Sequence, residues 1–464
     1  MASFDSDRFD NIAFSKMSET KLPSIAVSII EDGEVVHTRG FGYKDVSAAL
    51  PATEHTLYGI GSITKSFVAL SIAKLVEAGK LDFHDPVTKF IPLKPKVFEE
   101  IEVHHLLSHT SGIPGLGALE VLLYSGFGES QHWLPISSLE DMQSFMSDVD
   151  DWAEAAPGKK LLYLNEGFVL LGDVITKVTG RPWFDYAKEE ILKPLSMTRT
   201  FLERADISRD ADVAIPYLIR GAKVTPTAIP YGDGSAGGIK SNAVDLSSYV
   251  KMYLNWGEFE GKRIIDKNTL AKMETPYGKW PVEYYGGDSY GYGLQIIPNF
   301  HGHKVVGHGG SVDCYTAQMD YIRDLRSGVV LLANGTGYSM GRLAMIAQSL
   351  LAGVDPDELT AVKLETLLKK LEGQYKAYKD TIFAEVKVNG SFLILSGEDI
   401  GKDIVLVPEG EEDGVARFFT LDAGARMEVN FRFNKYGIEL MYERYRYRRA
   451  GPLPQQLGAQ PAPT

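Results

Sequence analysis

Ser62 and Lys65 have the spacing that a serine nucleophile and a lysine base need on one helix. A serine hydroxyl is a weak nucleophile until a base takes its proton. A lysine three residues later lies on the same helical face, and burial that lowers its pKa makes it a suitable base. The same spacing recurs at Ser18, Ser71 and Ser248, and serine is a common helix N-cap. This pair alone therefore favours the N-cap interpretation.

The residues around Ser62 distinguish it from the other three serines. The segment 58–61 before it, YGIG, is punctuated by glycine, and the segment after it carries apolar residues at helical spacing. This pattern predicts a helix over 62–81 whose end is marked by Gly79. The backbone N–H groups and the positive dipole end of such a helix N-terminus point at the site of the serine.

A second candidate group is the tripeptide from Tyr163 to Asn165. A phenol beside a lysine can pass as tyrosinate and act as general base, and the Asn165 amide can orient a substrate. Another Y-L-N tripeptide, 253–255, ends an amphipathic helical pattern, so packing explains it, whereas Tyr163 follows a Pro-Gly pair in a predicted loop. Taken alone, Tyr163 is better explained as a buried tyrosine with a hydrogen-bonded hydroxyl.

The third candidate group is the glycine-rich segment Gly307–Ser311, in which His308 opens the H-x-G sequence. Glycines let a strand backbone approach a ligand closely. A strand N–H at Gly310 or Ser311 can pair with the Ser62 N–H to hold the oxyanion of a tetrahedral intermediate. Taken alone, the segment is explained equally well as a glycine-rich turn with a solvated histidine.

The elements that must position these residues form a mixed domain over residues 1–355. Asp32-Gly33 predicts a hairpin turn between two early strands. Further strands are predicted at 293–297, 304–306, 315–321 and 327–332, and further helices at 167–179, 187–192 and 243–255. Strands at both ends with helices between them indicate one sheet assembled from distant segments, with a helical lobe. This is an α+β or α/β arrangement.

A second domain is predicted in the C-terminal quarter of the chain. Residues 356–371 read as a linker or helix. Residues 372–450 contain short strand patterns separated by turn signals, which predict a small antiparallel barrel or sandwich. The segment 451–464 is rich in Pro, Gln and Ala, so it is predicted to be a disordered tail.

Composition excludes several classes of partner and cofactor. The net charge of −13 disfavours nucleic acid, and the apolar runs are too short for a membrane span. The histidine pairs at 104–105 and 301–303 lack a carboxylate or cysteine framework, so no metal and no cofactor is expected. The single cysteine, Cys314, cannot form an intramolecular disulfide, and the first residues do not form a secretory signal. The chain is therefore predicted to be cytoplasmic.

Together these motifs resemble the serine β-lactamase and penicillin-binding-protein superfamily, in particular its class C-like esterases and D-amino-acid peptidases. The resemblance covers about residues 10 to 350. Besides the three candidate groups, further segments match the family in order and spacing. These are 106–112 (LLSHTSG), 157–158 (PG), 167–172 (GFVLLG), 193–197 (KPLSM) and 236–238 (AGG). The C-terminal strands resemble a lipocalin-like domain found on some of these hydrolases.

The resemblance implies a fold and a role for each candidate residue. It implies an antiparallel sheet flanked by helices, and an acyl group carried by Ser62. Lys65 and Tyr163 would share the proton transfer, and Asn165 would hold the substrate amide. His308 would stand where many relatives carry the lysine of a K-T-G motif, and it is expected to titrate near neutrality.

The implied function is a serine peptidase that cleaves short peptides, including ones with D-residues. A carboxylesterase with the same site is the alternative within the enzymes, and a weak β-lactamase is a further one, because His308 replaces a permanent cation. A non-catalytic binding or scaffold protein on the same fold is the alternative outside the enzymes. The expected partners are a small-molecule or short-peptide substrate and further copies of the chain in a homo-oligomer.

Overall fold

A nine-stranded antiparallel sheet joins the beginning and the end of the first of two units into which the chain divides, residues 1–354 and 355–464. The computed structural model describes residues 3–129, 134–231, 234–397 and 400–450. The strands of the first unit are, in chain order, β1 (Ser24–Glu31), β2 (Glu34–Asp45), β3 (Leu50–Pro51), β4 (Tyr58–Gly59), β5 (Tyr217–Arg220), β6 (Lys223–Pro226), β7 (Lys240–Ser241), β8 (Glu258–Phe259), β9 (Lys262–Arg263), β10 (Gly278–Lys279), β11 (Ser289–Tyr290), β12 (Gln295–Phe300), β13 (His303–Ser311), β14 (Thr316–Ile322) and β15 (Ser327–Ala333).

The order of strands in this sheet is β10-β11-β12-β13-β14-β15-β1-β2-β3. The central pairing joins β1 to β15, with Ile25 opposite Ala333, so residues some 300 positions apart are neighbours. The predicted hairpin at Asp32-Gly33 is confirmed, since β1 pairs with β2 and both turn residues have positive φ. The predicted assembly of the sheet from distant segments is therefore confirmed.

Helices surround the strands of this unit. They are α1 (Ser6–Thr20), α2 (Thr64–Glu77), α3 (Val103–Leu107), α4 (Ala118–Gly126), α5 (Leu139–Phe145), α6 (Asn165–Thr179), α7 (Trp183–Ala187), α8 (Arg204–Ile207), α9 (Gly234–Gly237), α10 (Ala243–Leu254), α11 (Lys267–Met273) and α12 (Met340–Leu351). Most residues of α2 are buried, which fits its apolar sequence, and α2 packs against α6. Gly79 follows α2 with φ +67, as predicted for the helix end.

In the described residues of the second unit, one α-helix is followed by a closed barrel. Its elements are α13 (Thr360–Leu371), β16 (Gly373–Lys376), β17 (Phe383–Asn389), β18 (Phe392–Gly397), β19 (Ile404–Glu412), β20 (Val415–Asp422), β21 (Ala425–Asn434), β22 (Gly437–Tyr442) and β23 (Tyr445–Arg449). Each strand pairs with the next, and β16 closes the barrel by pairing with β23. The predicted fold class, a mixed domain followed by an all-β barrel, is confirmed. The predicted tail lies outside the described residues.

Buried apolar side chains fill the core of the barrel. Val386, Leu395 and Phe431 are fully buried there, and Leu368 and Leu371 of α13 belong to the same cluster. Full burial of such a side chain stabilises a fold by about 1.5–3 kcal/mol. Within the part of the chain that the structure describes, no helix is long and apolar enough to cross a membrane.

Candidate active site

Ser62 lies in one turn of 3-10 helix, Gly61–Ile63, which joins β4 to α2. The N-cap of α2 is Ile63, without a side-chain capping bond, so the N-cap interpretation of Ser62 is wrong. The Ser62 hydroxyl oxygen instead accepts a hydrogen bond of 2.9 Å from Lys65 Nζ. Because Ser62 lies in the 3-10 turn before α2 and does not cap that helix, its hydroxyl can form a hydrogen bond with the lysine one turn later.

Lys65 is fully buried on the first turn of α2. Its Nζ also donates to the carbonyl oxygen of Ala236 at 2.6 Å and lies 4.9 Å from the centre of the Tyr163 ring. Burying an amine is costly unless its protons are hydrogen-bonded. The carbonyl and the Ser62 hydroxyl supply two acceptors and hold the amine against the serine oxygen.

Tyr163 precedes α6, and its hydroxyl lies close enough to the Ser62 side chain to interact with it. Burial raises the pKa of the Tyr163 phenol above its ordinary value, and the interaction with Ser62 opposes that rise only in part. A tyrosinate in the resting protein would need a lowered pKa. Because the pKa of Tyr163 is raised, the phenol carries its proton at neutral pH. The structure therefore has a protonated phenol beside the serine in its resting state.

Asn165 is the first residue of α6, two positions after Tyr163. Its side-chain Nδ2 donates a hydrogen bond of 2.8 Å to Glu120 Oε1 on α4. The neighbouring Glu166 is buried and accepts the backbone N–H of Ala118 at 3.0 Å. Two consecutive side chains of α6 thus hold the first turn of α4.

His308 lies on β13 and is only 1% exposed. Its Nδ1 is 2.5 Å from the carbonyl oxygen of Gly309, which can only accept, so Nδ1 carries the proton. The Tyr290 hydroxyl therefore donates to Nε2, at 2.8 Å. Burial, with a smaller contribution from Lys65, lowers the pKa of His308 to about 3. The expectation that His308 titrates near neutrality is thus wrong, because a buried imidazole beside an amine stays neutral.

Gly310 and Ser311 bring the end of β13 against the turn that carries Ser62. A Cβ at Gly310 would lie 1.9 Å from the carbonyl oxygen of Ile60 and 3.2 Å from the backbone nitrogen of Ser62. A Cβ at Gly61, whose φ is +51, would lie 2.5 Å from the backbone nitrogen of Ser311. Only glycine permits this approach. The backbone nitrogens of Ser62 and Ser311 thus lie on facing segments.

A cavity of about 170 Å³ opens beside the Ser62 hydroxyl. Of the predicted residues, Ser62, Asn165 and Ser311 line it. The other lining residues come from α4, from α9 and from the two residues that follow β13, and they are Leu119, Glu120, Leu123, Tyr124, Ala236, Gly237, Val312 and Asp313. The glycine- and aromatic-rich sequence of segment 115–134 predicts a loop or short helices near the cleft, and α4 in this segment does line the cavity, whereas Trp133 lies outside the described residues. A larger cavity, of about 580 Å³, at the far end of α2 contains none of the candidate residues.

Sequence reasoning missed His109 and Tyr290 as parts of this site. The His109 ring centre lies 4.0 Å from that of Tyr163 and 4.8 Å from that of Tyr290. The signal for His109 was present in the family segment 106–112. Nothing in the sequence around Tyr290 marks it, because its role depends on the pairing of β11 with β12 and β12 with β13.

The other histidine groups belong to local hydrogen-bond pairs rather than to a metal site. His104 Nδ1 lies 2.7 Å from the Tyr292 hydroxyl, and His105 Nδ1 accepts the Glu102 N–H. Both rings are half-buried. Within residues 3–129, 134–231, 234–397 and 400–450 there is no group of three or more His, Cys, Asp or Glu placed to hold a metal ion.

Comparison with known families agrees with this architecture. The Beta-lactamase family model matches residues 9–353, and the model of the Pab87 octamerisation domain matches residues 356–448. The first match covers more than half of the chain. The chain therefore belongs to the Beta-lactamase family, whose fold also includes the penicillin-binding proteins.

Individual relatives add detail. The octameric penicillin-binding protein homologue from Pyrococcus abyssi has 43% sequence identity and a TM-score of 0.90, over 96% of this chain and 99% of its own. A D-stereospecific amidohydrolase from Streptomyces sp. has 25% identity and a TM-score of 0.61, over 73% of this chain and 97% of its own. Protein flp of Staphylococcus aureus is 28% identical over 262 residues, which are 53% of this chain and 49% of that protein. This chain thus spans about half the length of those curated relatives.

Proposed function

We propose that the chain is a serine peptidase that forms an acyl-enzyme at Ser62 and cleaves short peptides, including ones with D-residues. One observation carries the proposal. The Ser62 hydroxyl meets both Lys65 Nζ, at 2.9 Å, and the Tyr163 hydroxyl at the edge of a cavity. A nucleophile with two proton-transfer groups in reach is the arrangement that covalent acyl transfer needs.

Acylation begins after Lys65 has lost a proton, when its neutral amine takes the Ser62 proton while Oγ bonds to the substrate carbonyl carbon. The carbonyl oxygen becomes an oxyanion held by the backbone N–H groups of Ser62 and Ser311. When the carbon–nitrogen bond breaks, the Tyr163 phenol gives its proton to the leaving nitrogen and regains one from Lys65. The raised pKa of Tyr163 keeps the phenol protonated until this step, and the two groups titrate as a pair.

Deacylation uses water in place of the leaving amine. The water gives one proton to the Lys65–Tyr163 pair as its oxygen bonds to the acyl carbon. The bond between that carbon and Oγ then breaks, and Ser62 regains the proton. The balance is one amide and one water converted to one carboxylic acid and one amine.

The substrate class rests on the charge in the cavity and on a relative. Because His308 is buried and neutral, it offers no cation to the carboxylate of a β-lactam or of a free peptide C-terminus. The charged residues that line the cavity are Glu120 and Asp313. The amidohydrolase relative is D-stereospecific by its own description, which supports amides with D-residues as substrates here.

A rate comparison tests the proposal and its esterase alternative. A D-alanyl p-nitroanilide, an L-alanyl p-nitroanilide and p-nitrophenyl butyrate are assayed with the wild type and with Ser62→Ala. We expect hydrolysis of the D-amide, lost by at least about 10³-fold in the variant. Cleavage of the ester alone would make the chain an esterase, and wild-type rates in Ser62→Ala would exclude the acyl-enzyme altogether.

The assembly proposed for this chain is a homo-octamer. Support comes from the match of residues 356–448 to an octamerisation domain and from the octameric relative, which aligns with 96% of the chain. Light scattering on the purified protein measures the mass directly. Eight copies of the 51.1 kDa chain are expected, and a monomer at micromolar concentration contradicts the proposal.

A further inference from the structure

His109 is joined to the segment that carries Tyr163 by two hydrogen bonds. Its carbonyl oxygen accepts the N–H of Leu162 at 2.8 Å, and its ring Nδ1 accepts the N–H of Leu164 at 3.0 Å. Leu162 and Leu164 directly precede and follow Tyr163. Both neighbours of the tyrosine are therefore fixed to one residue.

The imidazole itself packs on the tyrosine. The two ring planes are inclined by 35° with centres 4.0 Å apart, and the imidazole is 1% exposed. Phe168 and Tyr290 contact the other sides of the imidazole, at centre distances of 5.1 and 4.8 Å. The imidazole can move only if this packing is broken. It therefore restricts the position of the Tyr163 ring.

Two further features keep His109 in this role. Its φ is +56, in the left-handed region, which His, like Asn and Asp, adopts more often than most other residues with a side chain do. Burial, then the charge of Lys65, keeps the pKa of the imidazole well below its ordinary value. A neutral ring leaves the Nδ1 lone pair available to the Leu164 N–H, whereas a protonated ring loses that bond.

We infer that His109 is a positioning residue that holds the Tyr163 hydroxyl against Ser62 by clasping the backbone on both sides of the tyrosine. This inference rests on the function proposed for Ser62 and Tyr163. The His109 side chain contacts the Tyr163 ring and the Leu164 N–H, so it acts on catalysis through Tyr163 and not through the substrate. A misplacement of about 1 Å in a proton-transfer group is enough to cost about 100-fold in rate.

Two substitutions distinguish the contribution of the His109 side chain from the requirement for a residue that tolerates positive φ at this position. His109→Asn keeps an acceptor at the position of Nδ1 and tolerates positive φ, whereas His109→Gly tolerates the same φ but removes acceptor and ring. We expect kcat to fall about 10- to 100-fold in His109→Gly and about threefold in His109→Asn, with KM within twofold in both. Equal kcat losses in the two variants, or a loss confined to KM, would overturn the inference.

A double-mutant comparison distinguishes positioning from general structural support. If His109 acts through the Tyr163 hydroxyl, adding His109→Gly to Tyr163→Phe lowers kcat by less than about threefold. A further fall as large as in the wild-type background contradicts the inference. Thermal unfolding of each variant identifies any that fails to fold, and His109→Asn is the variant whose fold is best protected.

A crystal structure of His109→Gly gives a readout that does not depend on turnover. The Tyr163 oxygen should move away from Ser62 Oγ by about 1 Å or more, and an unmoved tyrosine overturns the inference. The proposed function is tested apart from this by Ser62→Ala. Full activity in Ser62→Ala rejects the acyl-enzyme, whereas a displaced Tyr163 still reports whether His109 positions it.

Discussion

The interiors of the two units differ in kind. In the first unit the buried residues include Lys65, His109, Glu166 and His308, each of them hydrogen-bonded. Among the described residues of the barrel, the buried polar or charged side chains are Thr420 and Glu439, each 7% exposed. The rest of the barrel core is aliphatic and aromatic. One interior therefore contains the buried polar groups of the candidate site, and the other is almost entirely apolar.

This difference shows how buried polar groups in a site lower the stability of the fold. Transfer of an amine or an imidazole from water to a protein interior is unfavourable, and hydrogen bonds recover only part of that free energy. Apolar burial in the barrel carries no such cost. The first unit is expected to give up stability for function at its polar positions, whereas substitutions in the barrel core should affect stability and leave the chemistry unchanged.

Among the substitutions that test this comparison of the two units, Lys65→Met should have the largest effect on activity. Methionine fills a similar volume but cannot take the Ser62 proton, so kcat/KM should fall by about 10²–10⁴-fold. Stability should stay the same or rise, because a buried amine gives way to an apolar side chain. Stopped-flow kinetics and thermal unfolding measure the two effects.

The control for that variant is Lys74→Met on the same helix. Lys74 donates to the carbonyl oxygen of Ile264 and is far along α2 from Ser62, so activity near that of the wild type is expected. A marked loss of stability in Lys65→Met, with activity retained, would reverse the comparison between the two interiors.

Phe431→Ala tests the barrel core. The Phe431 ring is fully buried on β21 and meets Phe418 and Tyr375 edge-on, at centre distances of 5.4 and 5.9 Å. Its removal should lower the free energy of unfolding by about 3–5 kcal/mol and leave kcat of the folded protein within about twofold. Phe392→Ala, at a 43% exposed position of β18, is the matched control and should have a small effect.

The two units can be followed separately in this experiment. All five tryptophans precede residue 355, so tryptophan fluorescence reports the first unit, whereas circular dichroism in the far ultraviolet reports both. A shift of the circular dichroism transition alone is expected for Phe431→Ala. If the fluorescence transition shifts equally, the two units unfold together, and a substitution in the barrel core also changes the stability of the first unit.

Local patterns in the sequence predicted much of the fold and part of the site. Ser62 and Lys65 were found because three residues on a helix fix the distance between two side chains, whatever surrounds them. The barrel hairpins were found because glycine and asparagine mark turns between alternating strands, as at Asn389-Gly390. These predictions depend only on residues that are close to one another in the sequence.

The protonation states could not be predicted in the same way. His308 was expected to titrate near neutrality because an exposed imidazole does, but packing by Tyr290 and the charge of Lys65 keep it neutral. Those groups come from segments 18 and 243 residues away, which only the folded sheet brings together. The same applies to His109, whose partners lie some 55 residues later.

A substitution of Asp320 tests the polar interior of the first unit, and it is the one from which we expect the smallest effect on activity. Its side chain is 3% exposed on β14, its Oδ1 accepts a hydrogen bond from Gln318 Nε2 at 2.9 Å, and its Oδ2 has no partner among the described residues. Burial raises the pKa of the Asp320 carboxyl to about 7. A carboxyl with a raised pKa is favoured in its protonated form in the folded state. Its contribution to stability is therefore complete below pH 4 and is lost as the pH rises through about 7.

Asp320→Asn should remove that loss, since an amide has the shape of the protonated acid and does not titrate. The variant should match the wild type near pH 4 and exceed it above pH 7, by at most about 4 kcal/mol in the free energy of unfolding. Denaturant unfolding followed by tryptophan fluorescence from pH 4 to pH 9 measures this, with the exposed Asp151→Asn as control. An Asp320→Asn protein that is less stable than the wild type at pH 8 would mean that the charged carboxylate is stabilised where it lies. In that case the polar interior of the first unit would carry less cost than its burial implies.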